Sequence, residues 1–221
     1  MENYAIIKER RIKGKRHYQV PSGGIYPSVT TVLSIIPNSK LTEWIKAVGE
    51  QVATYVRVQG ARRGEEFHSI VEDYLKLQPL DKYRRVLPKA LFFQAKDTID
   101  KITNIRLQEE ILWSDELKIA GRVDCIADFD GVPSVIDFKT ASKPKDESDI
   151  QNYFQQATAY SLMYEERAHA IIRQIVILVS CESGDVQVHV KNRDDFVSDL
   201  KHTIDQYYVQ MEITNDIPLG Q

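Results

Sequence analysis

Residues 121–140 read GRVDCIADFDGVPSVIDFKT, and their reading decides the fold. Asp130-Gly131 lies between two runs in which apolar residues alternate, the pattern of a two-residue hairpin turn with positive φ at both positions. Such a turn sets a register: Phe129 faces Val132, Ala127 faces Ser134, Cys125 faces Ile136 and Val123 faces Phe138. That face is almost wholly apolar, so register and burial, two independent requirements, agree. Pro133 lacks an N–H donor and leaves open a bulge that would shift the register by one.

The same register sets Asp124 opposite Asp137 on the other face, with Lys139 two residues further along the Asp137 side. Directly opposed side chains have Cβ atoms ~4.5–5.5 Å apart, where like charges repel. Two carboxylates that close share a proton or bind a cation. Ile126 and Val135 flank the pair and shelter it from water. Two acids holding a divalent ion, with a lysine at the rim, suit phosphodiester hydrolysis. The ion polarises the phosphoryl oxygen and acidifies a bound water, and the lysine orients that water or offsets the charge that develops. A hairpin with a merely acidic, solvated face is the plainer reading of the same spacing.

Outward from the hairpin, helical spacing precedes residue 104 and strand spacing follows it. Ser28 is an N-cap candidate for a short helix in SVTTVLSII. Further helices are expected at about 41–58, 61–77 and 88–102. In the second of these Phe67, Ile70, Val71, Tyr74 and Leu75 form one apolar stripe. Pro88 suits the first turn of the last. Strands are expected over 105–113, 121–129, 132–140 and 171–180, then in the alternation of Val186, Val188 and Val190, with helices at 152–167 and from Phe196 to Met211. This is one α/β domain with a mixed sheet. Its parts are basic strands in 1–26, a helical part in 27–104 and a catalytic sheet with its helices in 105–212.

Composition narrows the function. The chain has 221 residues, a net charge of −3 and a pI of about 6, which is not the global signature of a nucleic-acid binder. No apolar run approaches the ~20 residues that span a bilayer, so no membrane association is expected. The first ten residues carry two glutamates and read as neither signal nor transit peptide, which points to the cytoplasm. Two cysteines, Cys125 and Cys181, are too few for a four-cysteine iron–sulfur cluster or zinc site. Residues 8–16 (KERRIKGKR) nevertheless hold six basic groups against one acid.

The pattern GRVD…VIDFKT followed by QATAY resembles the PD-(D/E)xK nuclease clan in its RecB-like branch. The likeness runs through PSVTTVL, RGEEFH and the block from Gly121 to Lys145, over most of residues 27–165. Within the branch it is similar to the mitochondrial genome maintenance exonucleases and related phage-encoded proteins. The resemblance implies a restriction-endonuclease-like mixed central sheet flanked by helices, with an N-terminal helical part. It implies a DNA exonuclease that uses one or two Mg²⁺ or Mn²⁺ ions, prefers single-stranded ends, leaves 5′-phosphate products and works in replication, recombination or repair. A phage or bacterial setting fits the lack of a visible transit sequence. Asp124 and Asp137 would be the metal-binding acids and Lys139 the clan's lysine; valine, not the proline of the clan's name, precedes Asp124. His68 would be a further metal ligand, and the Phe138 carbonyl would assist. Gln156 and Tyr160 match the QxxxY motif, although one helical turn of plain packing explains them too. Glu109 matches a recurrent glutamate, with Glu110 an equal candidate.

A nuclease indifferent to sequence needs phosphate contacts and stacking surfaces. Arg11, Lys13, Lys15 and Arg16, interleaved with Tyr4, His17, Tyr18 and Tyr26, are expected to guide single-stranded DNA to the site. Rival readings remain: a recombination or CRISPR-adaptation nuclease of the same clan, a structure-specific endonuclease of that clan, an inert DNA-binding or assembly scaffold, and a hydrolase of small phosphate esters; replication or recombination proteins are further candidate partners.

Overall fold

The computed structural model describes residues 7–213. A basic hairpin, β1 (Lys8–Ile12) and β2 (Lys15–Gln19), turns at Lys13-Gly14 and adds β3 (Ile25–Pro27) to make a small antiparallel sheet. Four helices follow: α1 (Val29–Leu33), α2 (Ser39–Val48), α3 (Glu50–Leu75) and α4 (Val86–Ile99). The main sheet has the order β4 (Ile102–Ser114), β5 (Ile119–Phe129), β6 (Val132–Ala141), β7 (Gln174–Cys181), β8 (Val186–Asn192). Its neighbours are antiparallel except β6 and β7, which run parallel and are joined by α5 (Gln151–Ala168). Helix α6 (Val197–Ile213) closes the described chain. The result is the mixed sheet flanked by helices that the sequence predicts.

The central hairpin forms as expected. Asp130 (φ 52) and Gly131 (φ 80) make the turn, and the ladder runs unbroken from Phe129↔Val132 to Cys125↔Ile136. Pro133 pairs with Asp128 without a bulge. Both faces are buried. Cys125, Ala127, Ile136 and Phe138 pack with Phe67 of α3 and Phe92 of α4, while Ile126 and Val135 pack with Val32 of α1, Phe154 of α5 and Leu200 of α6. Near-continuous apolar runs such as 175–179 are therefore central strands covered on both sides. Val132 is exposed at the hairpin end, and Val123, beyond the end of the ladder, packs with the α5 side.

A helix break and a strand start depart from expectation. The break expected near residue 60 falls at Gly49, whose φ of 83 and ψ of 154 belong to a region open almost only to glycine. Gly60 continues α3, which is 26 residues long. No residue of α2 is buried, and Leu41, Trp44 and Tyr55 stay exposed, so this part of the chain lacked the apolar stripe that fixes a boundary. Strand β4 begins at Ile102 rather than 105, and its pairing with β5 shifts between Thr103 and Leu107. Ser28 does cap α1, accepting from the Thr31 N–H at 3.0 Å.

The position of the break has a direct consequence. Gly49→Ala should destabilise the fold by about 1–3 kcal/mol, because alanine cannot relax at that φ and ψ. Gly60→Ala, whose added Cβ meets only Arg63 at 3.9 Å, should stabilise by about 0.5–1 kcal/mol. Denaturant melts that move in the same direction for both would place the break elsewhere.

Candidate metal centre

The middle of β5 and β6 sets the site. Beyond Cys125↔Ile136 the two strands part, and the Phe138 N–H donates to Asp124 Oδ2 at 2.8 Å. Asp124 thus spends one carboxylate oxygen on the neighbouring backbone, and it makes no ladder pair with Asp137. This corrects the simple facing pair of carboxylates.

The companions of Asp124 come from α3 and β4. One ligand atom each of His68, Glu109 and Asp124 lie within 4.8 Å of one another, a grouping that can hold a metal ion. His68 Nδ1 is 3.5 Å from Asp124 Oδ1 and 3.7 Å from Glu109 Oε1. Its other nitrogen, Nε2, lies 2.7 Å from the Phe138 carbonyl. With Nε2–H donating there, Nδ1 is left facing two carboxylates. That arrangement demands a positive charge, either a second proton on the ring or a bound cation. Burial opposes charge on the ring, but Asp124 and Glu109 outweigh it and raise the His68 pKa to about 9. Of the two glutamates, Glu109 joins the cluster and Glu110 is exposed. The sequence could not separate them, because the distinction rests on a backbone kink: Glu109 has φ 54 within a strand.

Asp137 and Lys139 sit beside this cluster. Asp137 is buried and ion-pairs with Lys139, while its Oδ1 has no hydrogen-bond partner. Burial pushes its pKa up despite the lysine. Lys139 Nζ also lies 5.1 Å from the centre of the Tyr153 ring. Desolvation works against its charge, but Asp137 and Asp124 prevail and raise its pKa. An orphaned carboxylate oxygen beside a His/Glu/Asp group fits a hard divalent cation, which prefers oxygen with some imidazole.

With Asp137 buried behind Lys139, His68, Glu109, Asp124 and Lys139 border a cavity of about 420 Å³. Gln156 and Tyr160 of α5 line it, with the Gln156 side-chain amide donating to Tyr160 Oη at 3.5 Å. A Cβ at Gly121 would stand 2.9 Å from the Tyr160 ring, so the glycine permits that close approach. Sequence reasoning missed Gly121, Arg122 and the polar side of α3, where Glu65, Ser69 and Glu72 line the cavity with His68. The signal was there: these residues recur at helical spacing opposite the Phe67, Ile70, Val71 stripe.

The basic strands contribute unevenly. Arg16 lines the cavity and donates to Thr30 Oγ1 at 3.4 Å. Arg11 is its cross-strand partner, Lys13 occupies the exposed turn, and Lys15 Nζ lies 5.8 Å from the Tyr207 ring centre. Among the described residues, the aromatic groups expected to stack are engaged within the fold. His17 and Tyr18 are buried, Tyr26 donates to Asp115, and Tyr4 lies outside the described residues.

Residues 43–216 match the family model described as the PD-(D/E)XK nuclease superfamily, and the chain belongs to that superfamily, whose restriction-endonuclease-like architecture it has. Its curated relatives include mitochondrial genome maintenance exonuclease 1 of Homo sapiens, 28% identical over 131 residues (55% of this chain, 38% of that protein). The Xenopus tropicalis protein of the same name is 29% identical over 135 residues (56% and 38%), and the Mus musculus protein 29% over 159 residues (64% and 47%). The chain spans less than half the length of these relatives.

The His68 environment predicts a pH signature in chelator-treated protein. A pKa raised from 6.5 to about 9 on folding contributes stability that is full below pH 6.5 and is lost as pH rises through 9. The thermal midpoint of the metal-free protein should therefore fall across that window, and His68→Gln should flatten the fall. An unchanged slope in the variant would show that the ring is not charged there.

Proposed function

We propose that this chain is a divalent-metal-dependent DNA exonuclease that hydrolyses phosphodiester bonds and prefers single-stranded ends. The observation that carries the reading is the His68, Glu109 and Asp124 group, which lines one cavity with Lys139, itself paired to the buried Asp137. Family membership supports phosphodiester hydrolysis. The exonuclease choice leans on the names of the curated relatives and on the likeness in residues 121–145. Residues 1–221 act as one nuclease domain on this reading, with roles in replication, recombination or repair.

His68, Glu109 and Asp124 would hold Mg²⁺ or Mn²⁺, with Asp137 Oδ1 as a nearby oxygen donor, while the Phe138 carbonyl, expected to assist as a ligand, instead accepts from His68 Nε2 and orients the ring. A bound ion would polarise the phosphoryl oxygen and acidify water. Lys139 keeps its proton at neutral pH, so its Nζ orients the attacking water and offsets charge on the phosphoryl group rather than accepting a proton. Gln156 and Tyr160 form the cavity wall against which the strand lies. Arg16, at the cavity edge, meets a phosphate of the incoming strand, with Arg11, Lys13 and Lys15 extending the basic track outward.

The test is cleavage of labelled linear single strands, duplexes and single-stranded circles with Mg²⁺, Mn²⁺ or chelator. Linear single strands should be degraded, circles should survive, and chelator should stop the reaction. Cut circles would mean an endonuclease of the same family. Asp137 and Lys139 are a buried pair, and truncating one strands the other's charge. Variants that leave the pair's charges in place are therefore preferable: Asp124→Asn should lower the rate at least about a hundredfold, and Lys139→Arg, which keeps the charge but not the geometry, should also lower it. Wild-type rates in a clean Asp124→Asn preparation would refute the site.

Binding offers a second test. Replacing Lys13, Lys15 and Arg16 with alanine should weaken single-stranded DNA binding. At about 0.7 per phosphate contact on single strands, it should reduce the salt slope by about 2. A full slope in the triple variant would remove these residues from the DNA path.

A further inference from the structure

We infer that Arg122 is a positioning residue for the metal centre, acting through the backbone of Glu109; this role rests on the metal reading above. Glu109 lies within β4 between the ladder pairs Gln108↔Cys125 and Glu110↔Val123, yet its φ is 54 and it makes no ladder pair with Asp124. A non-glycine residue in the left-handed region inside a strand persists only where its surroundings hold it. The hold comes from across the strand pair. Arg122, whose ladder partner is Ile111, reaches back so that Nη1 donates to the Glu109 carbonyl oxygen at 2.9 Å. The guanidinium supplies the donor that the local ladder does not.

The kink decides which acid reaches the site. Glu109 Oε1 comes within 3.7 Å of His68 Nδ1, while its neighbour Glu110 is exposed. Arg122 borders the same cavity but offers no ligand atom. It is itself exposed, so truncating it leaves no buried charge. Arg122 therefore acts on the ion through Glu109, as residues that orient ligands do at metal sites.

Mn²⁺ titration by calorimetry or electron paramagnetic resonance, without DNA, tests this on the full chain. Arg122→Ala should weaken Mn²⁺ binding by about tenfold or more. Arg122→Lys should recover part of the loss, since an ammonium can donate to the same carbonyl. The double variant Arg122→Ala/Glu109→Ala should bind no more weakly than Glu109→Ala alone, because both changes remove one contribution. Unchanged affinity in Arg122→Ala, or losses that simply add in the double variant, would overturn the role. An Arg122→Ala protein that binds Mn²⁺ normally but has a raised KM for DNA would make Arg122 a substrate contact instead. A wild-type protein that takes up no Mn²⁺ would overturn the metal reading and this role together, which separates the two failures.

Discussion

Crowded negative charge in the middle of the sheet is the constraint on which the site depends. Glu109, Asp124 and Asp137 converge from three strands. At an effective dielectric of 20, two unit charges 4 Å apart interact by about 4 kcal/mol. The protein meets this repulsion with three local donors: the His68 ring, the Lys139 ammonium and the Phe138 N–H. His68 also bonds the Phe138 carbonyl, so the group that neutralises the acids is the one that ties α3 to β6. Arg63, a turn earlier on α3, adds a bond to Thr140 and an ion pair to Glu182. Helix docking and charge balance are one arrangement here, and a divalent ion would take over the role of the His68 proton.

Much of this was legible from one turn. Asp130-Gly131 gave the register from 125 to 136, and the alternation of apolar residues gave both faces of the sheet. The register failed one residue past the last ladder pair, where the Asp124 side chain takes the Phe138 N–H. A side chain that bonds to backbone ends a ladder, and residue periodicity carries no sign of that. The choice between Glu109 and Glu110 was hidden for a related reason: a left-handed residue inside a strand breaks the period-two rule that sequence reading relies on. The α2 to α3 break was misplaced because two glycines, Gly49 and Gly60, sit in a stretch with little buried stripe to favour one over the other.

The small N-terminal sheet was read as a DNA guide, and its aromatic residues turn out to serve attachment. Tyr18 and Val20 pack with Trp113 and Ala120 of the main sheet. Asp115 gathers Ser22, Tyr26, Trp113 and Arg167, and Ser28 bridges to Ala120. Arg16 lies two residues before Tyr18 on the same face of β2, so docking that face turns Arg16 inward as well. This anchoring is what brings Arg16 and the start of α1 to the cavity, so one wall of the site is made by residues about a hundred positions before the acids.

Lys139 shows how burial can select a chemical role. A lysine deep in a protein ordinarily loses its proton more easily, and that shift would suit a general base. Here desolvation is the largest influence on Lys139 and acts in that direction, but the paired Asp137 and nearby Asp124 reverse it. Asp137 shows the complementary result, with burial outweighing the lysine and raising its pKa. The pair therefore holds its proton on the lysine side through neutral pH with an acid that is reluctant to carry full charge in isolation. Such a pair is poorly matched to proton abstraction and well matched to stabilising negative charge that appears late, on a phosphoryl oxygen. The Tyr153 ring face beside Nζ favours the cation as well. On the proposed metal reading, His68, Glu109 and Asp124 would hold the ion that acidifies water, and the lysine would serve the developing charge instead.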